Sequence, residues 1–156
     1  MEYRNFKPFG NISALSLGGG GIGNVWGETT RSESISTVNL AIESGINHLD
    51  MAPMYGKGEA EKVVGEALKG KNHSTLSITT KCRLGTLPDS KVYQKLNDSL
   101  SRSLERMKVE KVNLFLLHSQ LIEDDYQLPL LNEYRATNAT TLSCYYESVI
   151  PAFEKL

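Results

Sequence analysis

Four ionisable side chains each lie at, or shortly after, the end of a short apolar run: Asp50, Tyr55, Lys81 and His118. A tyrosine hydroxyl is a weak acid in neutral water, and a nearby ammonium group favours its phenolate form. Lys81 can supply the ammonium, and Asp50 can supply the carboxylate that a buried ammonium needs. With His118 as a further donor, the set could polarise a carbonyl oxygen and protonate it while hydride reaches the carbon.

This chemistry requires a cofactor, because no amino-acid side chain donates hydride. Gly18, Gly20 and Gly23 fit the G-x-G-x-x-G pattern of dinucleotide-binding loops. In a Rossmann fold, this glycine pattern is followed about 20 positions later by an acidic residue at the end of the second strand. Asp50 comes later than that and is better explained by its grouping with Tyr55. A Rossmann-type dehydrogenase therefore remains an alternative that rests on the glycine pattern.

The elements that must position these side chains alternate along the chain. Apolar runs predict strands over residues 15–17, 46–49, 76–80 and 112–117. Apolar residues at three- and four-residue steps predict helices over residues 34–44, 60–68, 91–107 and 145–156. The alternation predicts parallel strands joined by right-handed crossovers. Because the carboxyl ends of parallel strands share one edge, we expect the four ionisable side chains around one pocket.

Two segments stand outside this alternation. Residues 3–9 and 12–17 flank Gly10 and Asn11, a pattern that predicts an N-terminal β-hairpin. Residues 119–143 are polar and rich in Thr and Asn, which predicts a long loop of the kind that often serves function.

Charge and cysteine content exclude several classes of partner. The 156 residues carry 17 basic and 18 acidic side chains, a net charge of −1, so nothing favours nucleic acid or an anionic membrane as a partner.

Cys82 and Cys144 lie far apart in the sequence, which predicts that both are reduced packing residues. No His, Cys or carboxylate residues have the spacing of metal ligands, so we predict no metal. The first twenty residues contain no apolar run of signal or membrane-span length. We therefore expect a cytoplasmic protein.

Several segments carry a resemblance to one family. They are the first strand and glycine run (residues 15–21), residues 45–61 with Asp50 and Tyr55, Thr-Thr-Lys at 79–81, residues 99–104, and Leu-Leu-His at 116–118. In this order and spacing they resemble the aldo-keto reductase family, most closely its bacterial sugar and aldose dehydrogenase-like branch. The resemblance implies a (β/α)8 TIM barrel with an N-terminal β-hairpin, and an NADP(H)- or NAD(H)-dependent oxidoreductase.

The resemblance also implies a role for each site residue. Tyr55 would be the general acid for reduction of an aldehyde, ketone or aldose, and the base for alcohol oxidation. Lys81 would tune Tyr55, Asp50 would anchor Lys81 and border the cofactor, and His118 would orient the carbonyl oxygen. The remaining implied contacts are with the cofactor, through Gly19 and Gly20, and with the small-molecule carbonyl or sugar substrate, through Trp26, Met51 and Met54.

The chain departs from the family in length. A complete barrel normally needs eight strands and at least about 200 residues, whereas four strands are predicted here. We therefore expect residues 1–156 to be a partial barrel domain, truncated after the fourth βα unit and inactive alone. Uncovered strand edges would favour self-association. A non-enzymatic binding or regulatory module derived from a barrel is a second alternative, because fold alone does not specify activity.

Overall fold

The computed structural model describes residues 1–7, 9–126 and 138–156. The chain divides into two compact units, each described separately below. The first unit comprises Met1–Lys81 and Arg102–Leu116, and the second comprises Cys82–Ser101 and Leu117–Leu156.

The N-terminal β-hairpin of the first unit confirms the prediction. Strand β1 (Tyr3–Phe6) pairs antiparallel with β2 (Gly10–Ser13), with Tyr3 opposite Ser13 and Phe6 opposite Gly10. The amide of Phe9 donates to the carbonyl of Phe6 over 2.7 Å. Gly10 and Asn11, predicted to form the turn, instead belong to the second strand, where Gly10 adopts a φ of +78°.

Four further strands form one sheet in the order in which they occur along the chain: β3 (Leu17–Gly18), β4 (His48–Asp50), β5 (Ser77–Cys82) and β6 (Leu114–Leu117). The β3–β4 and β4–β5 pairs are parallel, and their register places Gly18 beside Asp50 and Asp50 beside Thr79. The four predicted strands are thus present, and each begins one or two residues later than its apolar run predicted.

Four helices connect these strands: α1 (Gly19–Ile22), α2 (Arg31–Glu43), α3 (Glu59–Ala67) and α4 (Val92–Met107). The last three confirm the predicted helices. Helix α2 begins three residues before the prediction because Thr30 and Glu33 form a capping box. In it, the Thr30 hydroxyl accepts from the Glu33 amide at 3.2 Å, and the Thr30 amide donates to the Glu33 carboxylate at 2.8 Å. The short helix α1 lies within the glycine run, where the sequence predicted no helix.

The hydrophobic core of the first unit lies between the sheet and its helices. Its buried members are Ile22, Val38, Leu49, Met51, Ala60, Val63, Val64, Ala67, Leu68, Ile78 and Met107. Within α2, Ser34, Val38 and Ala41 are buried, whereas the apolar Leu40 is 64% exposed.

In the second unit, the predicted 119–143 loop is wrong at both ends. Strands β7 (Gln120–Ile122) and β8 (Ala139–Thr141) pair in parallel, while residues 127–137 lie outside the described residues. The C-terminal helical segment begins earlier than predicted and changes winding: α5 (Leu142–Cys144), a π-helical turn (Tyr145–Val149) and α6 (Ile150–Phe153). The hydroxyl of Thr141 caps it, accepting from the Cys144 amide at 3.4 Å.

Cys82 and Cys144 are both free thiols. None of the helices in the described ranges is long and apolar enough to cross a membrane. Within those same ranges, no three His, Cys, Asp or Glu side chains gather as a metal site would require.

Candidate active site

A lysine and an aspartate from adjacent strands form the centre of the site. Asp50 ends β4, and Lys81 lies near the end of β5, so their side chains project from neighbouring strand ends. Nζ of Lys81 donates to Oδ1 of Asp50 at 2.5 Å and to the carbonyl of Met51 at 2.9 Å. The Lys81 side chain is only 11% exposed, whereas that of Asp50 is 38% exposed. The carboxylate therefore compensates a nearly buried ammonium while keeping one side open to solvent.

Tyr55 is brought to the same ammonium by a tight turn after β4. Nζ of Lys81 donates to the Tyr55 hydroxyl at 3.3 Å and lies 5.0 Å from the centroid of its ring. Gly56, Lys57 and Gly58 all have positive φ values, of +64°, +54° and +88°. Glycine tolerates this left-handed conformation without steric cost, which explains why the sequence can reverse direction sharply before α3.

The glycine run lies against this turn. A Cβ atom at Gly19 would be 2.8 Å from Cδ2 of Tyr55, and one at Gly23 would be 2.8 Å from the Tyr55 carbonyl oxygen. By contrast, Gly18 and Gly21 have nothing within 4 Å of their Cβ positions. One side of the run therefore packs closely on Tyr55, while the other side borders open space.

The three residues expected to line an apolar pocket differ in their burial. Trp26 is 80% exposed, and a Cβ atom at Gly20 would lie 2.6 Å from its ring. Met54 is half-buried. Met51 has no exposed surface, because its side chain packs into the hydrophobic core and against Gly19. Its carbonyl accepts the hydrogen bond from Nζ of Lys81.

His118 belongs to the second unit and directly follows β6. Its amide donates to the carbonyl of Cys82 at 2.7 Å, and its side chain is half-buried. The structure thus brings Asp50, Tyr55 and Lys81 together within the first unit and describes His118 as part of the second.

His48 is half-buried, and both of its ring nitrogens lie within hydrogen-bond distance of a hydroxyl. One ring nitrogen, Nδ1, lies 2.7 Å from the Ser16 hydroxyl, and Nε2 lies 2.9 Å from the Thr79 hydroxyl. Burial lowers the pKa of His48 below its ordinary value of 6.5, the nearby Asp50 carboxylate opposes this, and the Lys81 ammonium reinforces it. A neutral imidazole is therefore the favoured form in the folded chain.

One buried carboxylate beside the site was missed at the level of sequence. Glu61 has no exposed surface; it accepts from the hydroxyl of Thr80 at 2.7 Å and from Nε of Arg106 at 2.6 Å. The sequence position of Glu61 did indicate its burial. Glu61 precedes Val64 by three residues and Leu68 by seven, so it lies on the same buried helix face as these two residues.

Comparison with known proteins identifies relatives of this chain. The family model described as "Aldo/keto reductase family" matches residues 14–156. Aldo-keto reductase YhdN of Bacillus subtilis (strain 168) is 32% identical over 127 residues, which cover 76% of this chain and 38% of that protein. The chain therefore spans well under half the length of the curated relatives that it matches.

Solved structures extend the similarity to the fold. Aldo-keto reductase AKR11C1 from Bacillus halodurans (holo form) aligns with a TM-score of 0.71 at 22% identity, over 100% of this chain and 46% of that one. An aldo/keto reductase from Klebsiella pneumoniae, in complex with NADP and acetate, aligns with a TM-score of 0.65 at 21% identity, over 94% and 42%. These alignments and the parallel sheet show the N-terminal half of a (β/α)8 barrel. The chain belongs to the aldo-keto reductase family.

Proposed function

We propose that this chain carries the catalytic residues of an NAD(P)H-dependent oxidoreductase that interconverts a small carbonyl compound and its alcohol. The observation that supports this most strongly is the position of one ammonium group, Nζ of Lys81. It lies 3.3 Å from the Tyr55 hydroxyl and 2.5 Å from the Asp50 carboxylate. Membership of the aldo-keto reductase family agrees with this reaction class.

In the proposed mechanism, Tyr55 is the proton donor for reduction and the proton acceptor for alcohol oxidation. Lys81 stabilises the phenolate that Tyr55 becomes after it gives its proton to the carbonyl oxygen. Asp50 holds Lys81 in the charged form and fixes its direction, because an isolated buried ammonium would lose its proton. His118, which follows the same family motif, is proposed to orient the carbonyl oxygen.

The residues around Asp50 fit a dinucleotide. Gly18 lies beside Asp50 in the sheet register, and no atom lies within 4 Å of its Cβ position, so a ligand can approach the backbone there. The Asp50 carboxylate keeps 38% of its side chain exposed and can accept a hydrogen bond from such a ligand. Gly19 and Gly20 continue the same run. When bound, NADPH would supply the hydride that no side chain can provide.

The substrate class is proposed as a small aldehyde, ketone or aldose. The exposed indole of Trp26 and the half-buried Met54 are proposed as apolar groups that contact it. We further propose that residues 1–156 form the N-terminal part of a single barrel domain, with Asp50, Tyr55 and Lys81 at the carboxyl ends of its strands.

The test is an NADPH titration of the 156-residue chain, followed by cofactor fluorescence and size-exclusion chromatography, with turnover measured on a panel of small aldehydes and aldoses. In a barrel completed with the remaining βα units, Tyr55→Phe should retain NADPH affinity and lose about 10²–10⁴-fold in turnover, the usual contribution of a general acid. Tyr146→Phe is the control, because Tyr146 is 63% exposed in the second unit. Retained turnover in Tyr55→Phe would contradict the proposal.

Absence of NADPH binding by a folded chain would favour the alternative function, a non-enzymatic module built on the same fold. The sizing column separates this outcome from aggregation, because a self-associated chain elutes early whether or not it binds NADPH. Binding that occurs only in an early-eluting species would assign the cofactor site to an assembly of copies.

A further inference from the structure

An ion pair between the fully buried Glu61 and the partly buried Arg106 contacts the two chain segments of the first unit that carry Lys81 and Tyr55. Oε2 of Glu61 accepts from Nε of Arg106 at 2.6 Å, and Oε1 accepts from the hydroxyl of Thr80 at 2.7 Å. Arg106 also donates from Nη2 to the hydroxyl of Ser103 at 3.1 Å. Glu61, Thr80 and Ser103 have no exposed surface. Because a buried carboxylate is costly unless it is paired and hydrogen-bonded, these contacts fix α3, β5 and α4 to one another.

The contact with β5 lies one residue before Lys81. Side chains alternate between the two faces of a strand, so Thr80 and Lys81 point in opposite directions. Glu61 holds Thr80 on the face that packs against α3, while Lys81 reaches Asp50 on the other. The hydrogen bond to Thr80 therefore restrains the backbone from which the Lys81 side chain extends.

The contact with the Tyr55 turn involves Arg106. A Cβ atom at Gly58 would lie 2.8 Å from Cδ of Arg106 and 3.0 Å from its Nε. Gly58 has a φ of +88° and forms the N-cap of α3, three residues after Tyr55. The Arg106 side chain is thus packed directly against the end of the turn that presents the Tyr55 hydroxyl.

We infer that Glu61 and Arg106 are positioning residues for the Lys81–Tyr55 pair. The inference rests on the proposed function, which gives that pair its chemical role. Two backbone segments determine the 3.3 Å separation of Nζ and the hydroxyl, and the single ion pair restrains both. Loss of the ion pair displaces one segment relative to the other. Neither residue acts on a substrate directly; each acts through Lys81 and Tyr55.

The experiment measures the fluorine chemical shift of labelled Tyr55 in the chain without cofactor or substrate. The chain is labelled with 3-fluorotyrosine at its 7 tyrosines, and the Tyr55 fluorine resonance is the one that disappears in Tyr55→Phe. Glu61→Gln and Thr80→Val should each shift this resonance at temperatures where circular dichroism shows a folded chain. Thr80→Ser keeps the hydroxyl and should restore the original position.

The matched control lies on the same helix. Glu66 pairs with Arg31 at 3.1 Å, and both side chains are substantially exposed. Arg31 also pairs with Glu59 at 2.6 Å, so Glu66→Gln removes one exposed ion pair and leaves the Arg31–Glu59 pair in place. Glu66→Gln should leave the Tyr55 resonance unchanged.

A purely structural role for the ion pair predicts a different result: a lower unfolding temperature for Glu61→Gln with an unchanged Tyr55 resonance in the folded chain. That result would overturn the inference. If Glu61→Gln fails to fold, Thr80→Val decides the question, because it deletes one hydrogen bond and keeps the ion pair. No step uses NADPH or turnover, so failure of the proposed function and failure of this inference are distinguishable.

Discussion

Lys81 and Asp50 form an ion pair between two adjacent parallel strands, with 2.5 Å between Nζ and Oδ1. The pair is unequal, since the lysine side chain is 11% exposed and the aspartate side chain 38%. The ammonium therefore depends on the carboxylate more than the carboxylate depends on the ammonium.

This inequality predicts different costs for removing each partner. Asp50→Asn leaves a nearly buried ammonium without its counter-charge and should lower the free energy of unfolding by about 2–4 kcal/mol. Lys81→Met leaves a carboxylate that water can reach and should cost about 1 kcal/mol or less. Urea unfolding of the two variants and of the parent chain measures both values. Equal losses in the two variants would contradict this asymmetry.

A second prediction concerns Gly19, which packs on the Tyr55 ring. In Gly19→Ala, the new methyl group would lie 2.8 Å from Cδ2 of Tyr55 and 3.0 Å from Sδ of Met51, so side chains must shift. Such overpacking typically costs about 1–3 kcal/mol. Gly21→Ala is the matched control in the same short helix, because nothing lies within 4 Å of its Cβ position. We expect the control to be neutral, or to stabilise the chain by up to about 1 kcal/mol.

Thermal and urea unfolding distinguish the two alanine variants. A loss of stability in Gly19→Ala alone would show that close approach to Tyr55, rather than helix propensity, selects glycine at this position. Similar stabilities of the two variants would exclude that explanation.

The contacts of Gly19 also mark the limit of prediction from sequence. Strand order and the approach of Asp50, Tyr55 and Lys81 were predictable, because apolar runs locate strand ends and parallel pairing brings those ends together. The close packing of Gly19 on Tyr55 depends on how the turn folds back, and this involves three consecutive positive φ values. No local pattern specifies that geometry.

The burial of Glu61 and of Met51 was also not predicted from the sequence. Glu61 resembled an ordinary first-turn acid, yet it is fully buried, because Arg106 arrives from a helix 45 residues away to pair with it. Met51 was expected beside the substrate, and its side chain is fully buried in the core. The burial of both residues depends on how the helices pack against one another. A sequence pattern predicts which face of a helix is apolar but not which residues of other helices will contact it.

A third prediction concerns pH and His48. Burial lowers the pKa of His48 below 6.5 in the folded chain, so the unfolded chain binds this proton more readily. The free energy of unfolding should therefore fall as the pH decreases from about 6.5 toward the pKa of His48 in the folded chain. Above about pH 6.5, His48 should no longer change the free energy of unfolding with pH. His48→Gln should remove that part of the pH dependence. Urea unfolding between pH 5 and 8 measures it, and an unchanged slope in His48→Gln would contradict the assignment.

The last prediction concerns the two free thiols. Cys82 is 1% exposed, and burial raises its pKa above 9.0, while hydrogen bonding with Ser99 opposes this. Burial also raises the pKa of Cys144, but its side chain is only half-buried. Because alkylation requires a thiolate that the reagent can reach, iodoacetamide at pH 8 should modify Cys144 first.

Cys82 should react only as the strand end that carries it opens, so its alkylation rate should rise steeply with urea and approach that of Cys144 in the unfolded chain. Peptide mass spectrometry of timed samples separates the two sites. Cys82 directly follows Lys81, so its protection reports how firmly the end of β5 is held. Thr80→Val, which deletes the hydrogen bond to Glu61, should accelerate alkylation of Cys82 and leave Cys144 unchanged. Equal acceleration at both thiols would indicate global destabilisation of the chain instead.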